Sequence, residues 1–178
     1  MVRVFVSIPV PNISDLAPFL KDIGAVRGVR PVSAVQLHIT LAFVGEVDEE
    51  RIDDIAECVE AEVREKGSAR ITLKGAGAFP SEKRPRVIWA GVETGLPLEG
   101  IAAGIRRRFA AKGIPFDEKP FKAHITVGRV DRPTDVSGLI GVYRRTEFFS
   151  FICRSVMVVR SDLSPSGPTY TILRVCDL

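Results

Sequence analysis

Apolar side chains alternate from the first residues onward. Val2, Val4, Val6, Ile8 and Val10 fall on one side and Arg3, Phe5, Ser7 and Pro9 on the other, the period of a strand with a single core face. Asn12 and Ser14 then offer N-caps, and Leu16, Phe19, Leu20 and Ile23 recur at helical spacing before Gly28, which predicts a helix over 13–27. Strand composition returns at Gln36 to Val44. Asp48, Glu49 and Glu50 suit the positive end of a second helix, whose stripe is Ile52, Ile55, Ala56, Val59 and Val63 and whose stop is Gly67. Ala69 to Phe79 and Arg86 to Glu93 read as a long hairpin around the polar turn Pro80 to Pro85. Leu98, Ile101, Ala102, Ile105 and Phe109 repeat the helical stripe, with Arg106, Arg107, Arg108 and Lys112 near its C-terminus. A strand over Phe121 to Val130, a short helix over Asp135 to Tyr143, and strands over Phe151 to Arg160 and Thr169 to Val175 complete the prediction. Ser161 to Pro168 reads as a loop between the last two strands.

The order strand, helix, strand with histidine therefore occurs twice. Local sequence supports a duplication more strongly than order does: HITLAFVG begins at His38 and HITVGRV at His124, 86 positions apart. No linker-like stretch separates the halves. Each would leave a sheet face uncovered alone, so residues 1–178 are expected to form one domain of two lobes.

Composition narrows the class. The 178 residues are 46% hydrophobic and 26% charged, globular proportions that exclude disorder and collagen. Arg3, Ser7 and Pro9 interrupt the apolar N-terminal run, so neither a signal peptide nor a membrane helix is expected there. The 3 cysteines, Cys58, Cys153 and Cys176, have no CxxC pairing, which predicts reduced, mostly buried thiols in a cytoplasmic protein rather than a disulfide framework or structural zinc. Net charge is only +3, and residues 90–178 hold the excess with 13 basic and 9 acidic side chains. Such a bias suits a small anion or a nucleic-acid end better than a coated duplex, and equally suits an ordinary solvated surface.

There are 2 histidines, and both are followed by Ile and Thr. With 15 Ile and 8 Thr in the chain, composition gives that coincidence odds of roughly 10⁻⁵. In a strand, residues i and i+2 face the same way about 7 Å apart, so His38 and Thr40 share a face, as do His124 and Thr126. An approximate two-fold between lobes would bring all four to one cleft. One neutral imidazole could then accept a proton from an attacking oxygen while the other, protonated, supplies one to the departing oxygen, and the hydroxyls could hold phosphate oxygens. Two histidines without HExxH spacing or a neighbouring acidic cluster leave a metal site incomplete, so no metal or other cofactor is expected.

These paired motifs resemble those of the 2H phosphoesterase superfamily, and the chain looks most like its RNA 2′,3′-cyclic phosphodiesterase branch, also called the 2′-5′ RNA ligase family. Further likeness lies in GAGAFP at 75–80, PRVIWAGVE at 85–93 and SDLSPSGPTYTILRV at 161–175. The resemblance implies a bilobal α+β fold, an antiparallel sheet with flanking helices in each pseudo-symmetric lobe, and an active site in the cleft between them. It implies hydrolysis of an RNA terminal 2′,3′-cyclic phosphate to a 2′-phosphate, with reversible 2′-5′ ligation as a further capacity. His38 would be the general acid toward the 3′ oxygen, His124 the general base for water, and Thr40 and Thr126 the phosphate ligands. Phe43 and Arg129, five residues beyond each histidine, would sandwich a nucleobase. Regular alternation sends both to the opposite face, so the implied role requires the strands to depart from regularity.

The implied partners are RNA ends or oligonucleotides bearing a 2′,3′-cyclic phosphate, tRNA fragments among them, bound by a monomer. Two other readings remain open from sequence: a phosphodiesterase for 2′-5′ oligonucleotides or other cyclic nucleotides, and a non-catalytic RNA- or nucleotide-binding module of the same fold. Arg106 to Arg108 read as a solvated helix end or an RNA guide, and Trp89 as packing or a stacking surface.

Overall fold

The computed structural model describes residues 1–11 and 14–178. Nine strands form two antiparallel sheets among the described residues. In chain order the elements are β1 (Val2–Pro9), α1 (Ala17–Gly24), β2 (Val29–Pro31), β3 (His38–Val47), α2 (Ile52–Val63), β4 (Ala69–Phe79), β5 (Val87–Thr94) and α3 (Leu98–Ala111). They continue with β6 (His124–Val130), α4 (Ser137–Tyr143), β7 (Glu147–Cys153), β8 (Ser155–Ser164) and β9 (Gly167–Asp177). One sheet runs β3-β1-β8-β9 and the other β2-β6-β5-β4-β7, so the expected α+β class with a sheet in each lobe is what the chain forms.

The lobes are not consecutive halves of the chain. β2 comes from the first half yet pairs with β6, while the C-terminal hairpin β8–β9 returns to pair with β1. Helices are exchanged as well: α1 packs on β2 and β6 of the five-stranded sheet, and α3 packs on β3 and α2 of the four-stranded one. The core is correspondingly continuous, running from Phe19 and Ile23 of α1 through Ile88 and Ile125 to Leu41, Val59 and Phe109. Because the hairpin that belongs to the first sheet comes from the second half, the positive bias of 90–178 does not map onto one lobe.

Several boundaries differ from the sequence expectation. The helix anticipated over 13–27 is a short 3-10 turn at Ser14–Leu16 followed by α1, which carries Pro18 in its first turn, where its missing N–H costs nothing. Of the anticipated caps, Asn12 lies outside the described residues, and Ser14 sits in the 3-10 turn rather than at the α1 boundary. The strand anticipated over Phe151 to Arg160 is two strands that part at Arg154, β7 pairing with β4 and β8 with β1. A continuous apolar run conceals such a switch between sheets. The anticipated loop Ser161 to Pro168 is mostly strand, with β8 and β9 joined by Pro165 and Ser166 alone. Gly167, at φ +114, supplies the left-handed backbone that this tight turn needs. The three-residue β2 is too short to register as periodicity.

The three thiols are buried and unpaired. Burial pushes the Cys176 thiol up to about 11, so it stays protonated, as expected of a packing cysteine. No helix among the described residues is long and apolar enough to cross a membrane.

Candidate active site

His38 and His124 open β3 and β6, and each strand carries the same irregularity. Along β3, His38 lies opposite Pro9 and Thr40 opposite Ser7, but Val6 faces Ala42, which leaves Leu41 as an extra residue. Along β6, His124 lies opposite Gly91 and Thr126 opposite Trp89, but Ile88 faces Gly128, which leaves Val127 over. A bulge resets alternation: Leu41 and Ala42 are both buried, as are Val127 and Gly128. Phe43 and Arg129 consequently emerge on the same side as the histidine and threonine of their own strand. The departure from regularity required by the resemblance is thus present in both motifs, three residues beyond each histidine.

The two motif strands meet across the sheets at a cleft of about 320 Å³. His38, Thr40, His124, Thr126 and Arg129 all line it. Phe43 does not; its half-buried ring lies farther along β3, beneath the Arg3 guanidinium, whose central carbon is 4.8 Å from the ring centroid. At about 3.3 Å per strand residue, Phe43 is simply too far along the strand to reach the place where the histidines meet.

Each imidazole is held in the same way. His38 Nδ1 is 2.8 Å from the Gln36 carbonyl oxygen and His124 Nδ1 is 2.6 Å from that of Lys122. A carbonyl can only accept, so Nδ1 carries the proton in the neutral ring and Nε2 is left free for exchange with a ligand. Burial lowers the His38 pKa from the ordinary histidine value of 6.5, and the nearby positive charges of Arg129 and His124 lower it further, against the bond to Gln36. His38 is therefore biased toward the neutral form while no anion is bound. Its ring is fixed between aromatics, with Phe5 at 4.8 Å and Tyr170 edge-on at 5.5 Å, while His124 meets Phe79 edge-on at 5.3 Å.

Positive charge is concentrated at one end of the cleft. Arg129 of β6 stands directly opposite Arg30 of β2. Such like-charge pairs are unfavourable in a sheet. Arg30 is neutralised by a two-pronged contact with Asp131, at 2.5 and 2.9 Å, whereas Arg129 makes no ion pair among the described residues. An anion in the cleft would supply the missing counter-charge.

Sequence reasoning missed Arg30, Gln36 and Tyr170, all of which line the cleft. Arg30 sits in the unrecognised β2, and Gln36 was read only as the start of a strand. Tyr170 alternates with Ile172 in β9, a visible pattern, but nothing in the sequence says that β9 returns to the first sheet. The tip anticipated as a possible cleft rim does line it, through Ser166 to Pro168. Gln36 ties that rim down, its side-chain amide donating to the Pro168 carbonyl.

Two other candidates resolve as packing. The Trp89 indole lies over Gly77, where an added Cβ would come within 2.0 Å of the ring, and it does not line the cleft. Arg106 and Arg108 are engaged by the Lys119 carbonyl and the Glu62 carboxylate. Among the described residues, no group of three or more His, Cys, Asp or Glu gathers at one place.

Two antiparallel sheets that face each other across a cleft, each contributing one His-x-Thr strand, define the bilobal architecture of the two-histidine phosphoesterases. The sequence model of the 2′-5′ RNA ligase superfamily matches residues 14–165, and the chain belongs to that superfamily. It is 38% identical to an Archaeoglobus fulgidus RNA 2′,3′-cyclic phosphodiesterase over 97% of this chain and 98% of the relative. With the Thermotoga maritima protein of the same name it shares 39% identity over 84% of this chain and 79% of the relative. Among solved structures, a Thermus thermophilus protein superposes with a TM-score of 0.81 at 32% identity, covering 99% of this chain and 97% of its own. Escherichia coli LigT complexed with 3′-AMP gives 0.77 at 25% identity over 99% and 97% of the two chains.

Proposed function

We propose that this protein hydrolyses the 2′,3′-cyclic phosphate at the end of an RNA to a 2′-phosphate, using its two histidines as a proton donor and acceptor. The observation that carries the reading is the matched pair of imidazoles, both held through Nδ1 by a backbone carbonyl, on one cleft with Thr40, Thr126 and an arginine free of ion pairs. The names of the curated relatives point to the same substrate. His124 Nε2 takes a proton from water as its oxygen attacks phosphorus. The bond to the 3′ oxygen breaks, and protonated His38 donates to that oxygen. Thr40 and Thr126 hold the non-bridging oxygens, and Arg129 offsets the phosphate charge. These transfers balance without a metal, so the reading predicts metal-independent turnover.

The preference of empty-cleft His38 for its neutral form bears on its part as the acid. A phosphodiester anion is the partner that would favour its protonation, so substrate binding and proton uptake at His38 are linked. With a 5′-hydroxyl in place of water, the same groups would make a 2′-5′ linkage, and short RNA ends such as tRNA fragments fit the open cleft. An oligonucleotide ending in a 2′,3′-cyclic phosphate, incubated with excess EDTA, tests the proposal through the identity of its product. A 2′-phosphate is expected; a 3′-phosphate, or strict dependence on added metal, would overturn it.

A further inference from the structure

The cleft has a side chamber. Beyond His38, on the face of the four-stranded sheet, lies a second hollow of about 180 Å³ that shares Gln36, His38 and Tyr170 with the main cleft. Its other walls are apolar, with Phe5, Val35, Met157, Val159 and Ile172 foremost. We propose that this chamber is a nucleobase subsite, receiving the base of the ribonucleotide whose phosphate lies between the histidines; this rests on the phosphodiesterase reading above.

Three observations favour that occupant. First, the hollow meets the cleft at an aromatic corner, where the Phe5 and Tyr170 rings are 5.1 Å apart and both pack on His38. A ligand filling both spaces must present an anionic group to the threonines and a flat apolar group about one ribose away, which describes a nucleotide. Second, the rim holds two large aliphatic side chains in water, Val35 at 75% and Ile172 at 55% exposure, and a base lying on them would cover both. Third, the Gln36 amide nitrogen is engaged by the Pro168 carbonyl, which fixes the side chain and leaves its oxygen available to accept from a base edge. The alternative platform, Phe43, lies outside the cleft and already has Arg3 on its ring. Walls that are mainly aliphatic and aromatic select for a flat ring and not for one particular base, so purines and pyrimidines should both be accepted.

The chain itself supplies the reporters, with only 2 methionines and 2 histidines. Met157 lines the chamber, whereas Met1 is 75% exposed at the terminus. Protein labelled at the methionine methyls and histidine rings is titrated with adenosine 2′-monophosphate, ribose 5-phosphate and inorganic phosphate and followed by NMR. The nucleotide should move the Met157 methyl by ring current as well as the histidine signals; the two ligands without a base should move the histidines alone. Histidine shifts without a Met157 shift would overturn the subsite and leave the phosphodiesterase reading standing. An equal Met157 shift with ribose 5-phosphate would also overturn it. Independently, Val35→Asp and Ile172→Asp, both on the exposed rim, should each raise KM for a 2′,3′-cyclic nucleotide about tenfold, the loss falling on KM rather than kcat. A larger KM effect from Phe43→Ala, with both rim variants near wild type, would assign the base to Phe43 and refute the chamber. Failure of wild type to hydrolyse the cyclic substrate, with the Met157 response intact, would count against the phosphodiesterase reading alone.

Discussion

At the scale of single residues, the two histidines are chemically alike in tautomer and unlike in surroundings. Replacing either by Ala should lower turnover by about 10²- to 10⁴-fold, because each supplies a proton transfer. Steady-state kinetics on a cyclic-phosphate dinucleotide would check this, and near-normal activity in either variant would refute the paired mechanism. The lowered pKa of His38 also distinguishes which histidine is the acid. The profile of kcat/KM reports free-enzyme groups, so if His38 is the acid, the alkaline limb falls below the ordinary histidine value of 6.5. If His38 is instead the base, the depressed value appears on the acidic limb. The identities His38, Thr40, His124 and Thr126 were legible because a rare residue recurred with the same neighbours. The environment that separates the two imidazoles was not, since it comes from Phe5, Tyr170 and Arg129, drawn from three strands.

At the scale of elements, the bulges decide which side chains share a face. A period-two reading of HITLAFVG sends Phe43 away from His38; Leu41 inserts one residue into the ladder and brings it back to the histidine side. The same correction at Val127 delivers Arg129 to the cleft. Nothing in the motif announces a bulge, because it depends on the partner strand's register. Its surroundings are tightly built. Gly91 pairs with His124, and a Cβ there would lie 2.3 Å from the Lys74 carbonyl oxygen, a backbone atom that cannot turn aside. Gly91→Ala should therefore force β4 and β5 apart and destabilise the protein by about 1 to 3 kcal/mol. Urea denaturation followed by circular dichroism checks this, and an unchanged midpoint would show that the hairpin yields at no cost.

At the scale of the whole molecule, the exchange of strands and helices makes the two lobes interdependent. β8 is an interior strand of the first sheet, so removing residues 155–178 takes both it and β9 from β1 and uncovers Val4 and Val6. The truncated chain should lack a cooperative thermal transition; a two-state melt would contradict this dependence. Global stability should also respond to His38. Its folded pKa lies below the unfolded value of about 6.5, so at mildly acidic pH the unfolded chain binds the extra proton. The contribution is fully present above 6.5 and is lost as pH falls from there through the folded value. The His38→Ala variant should show a shallower dependence of melting temperature across that window.

The amino-acid sequence by itself determined the two histidine strands, the apolar stripes of α2 and α3, the long hairpin β4–β5 and the chemistry available at any cleft the histidines share. Each is a matter of periodicity or residue type within about ten to fifteen neighbours, where local sterics and side-chain burial dominate. Tertiary structure alone decided that Phe151 to Arg160 divides between two sheets, that β9 brings Tyr170 to His38, and that Arg30 faces Arg129. Those outcomes depend on which distant strand offers its unpaired backbone hydrogen bonds and apolar face, a choice made by the assembled sheets and not by any short window of the chain.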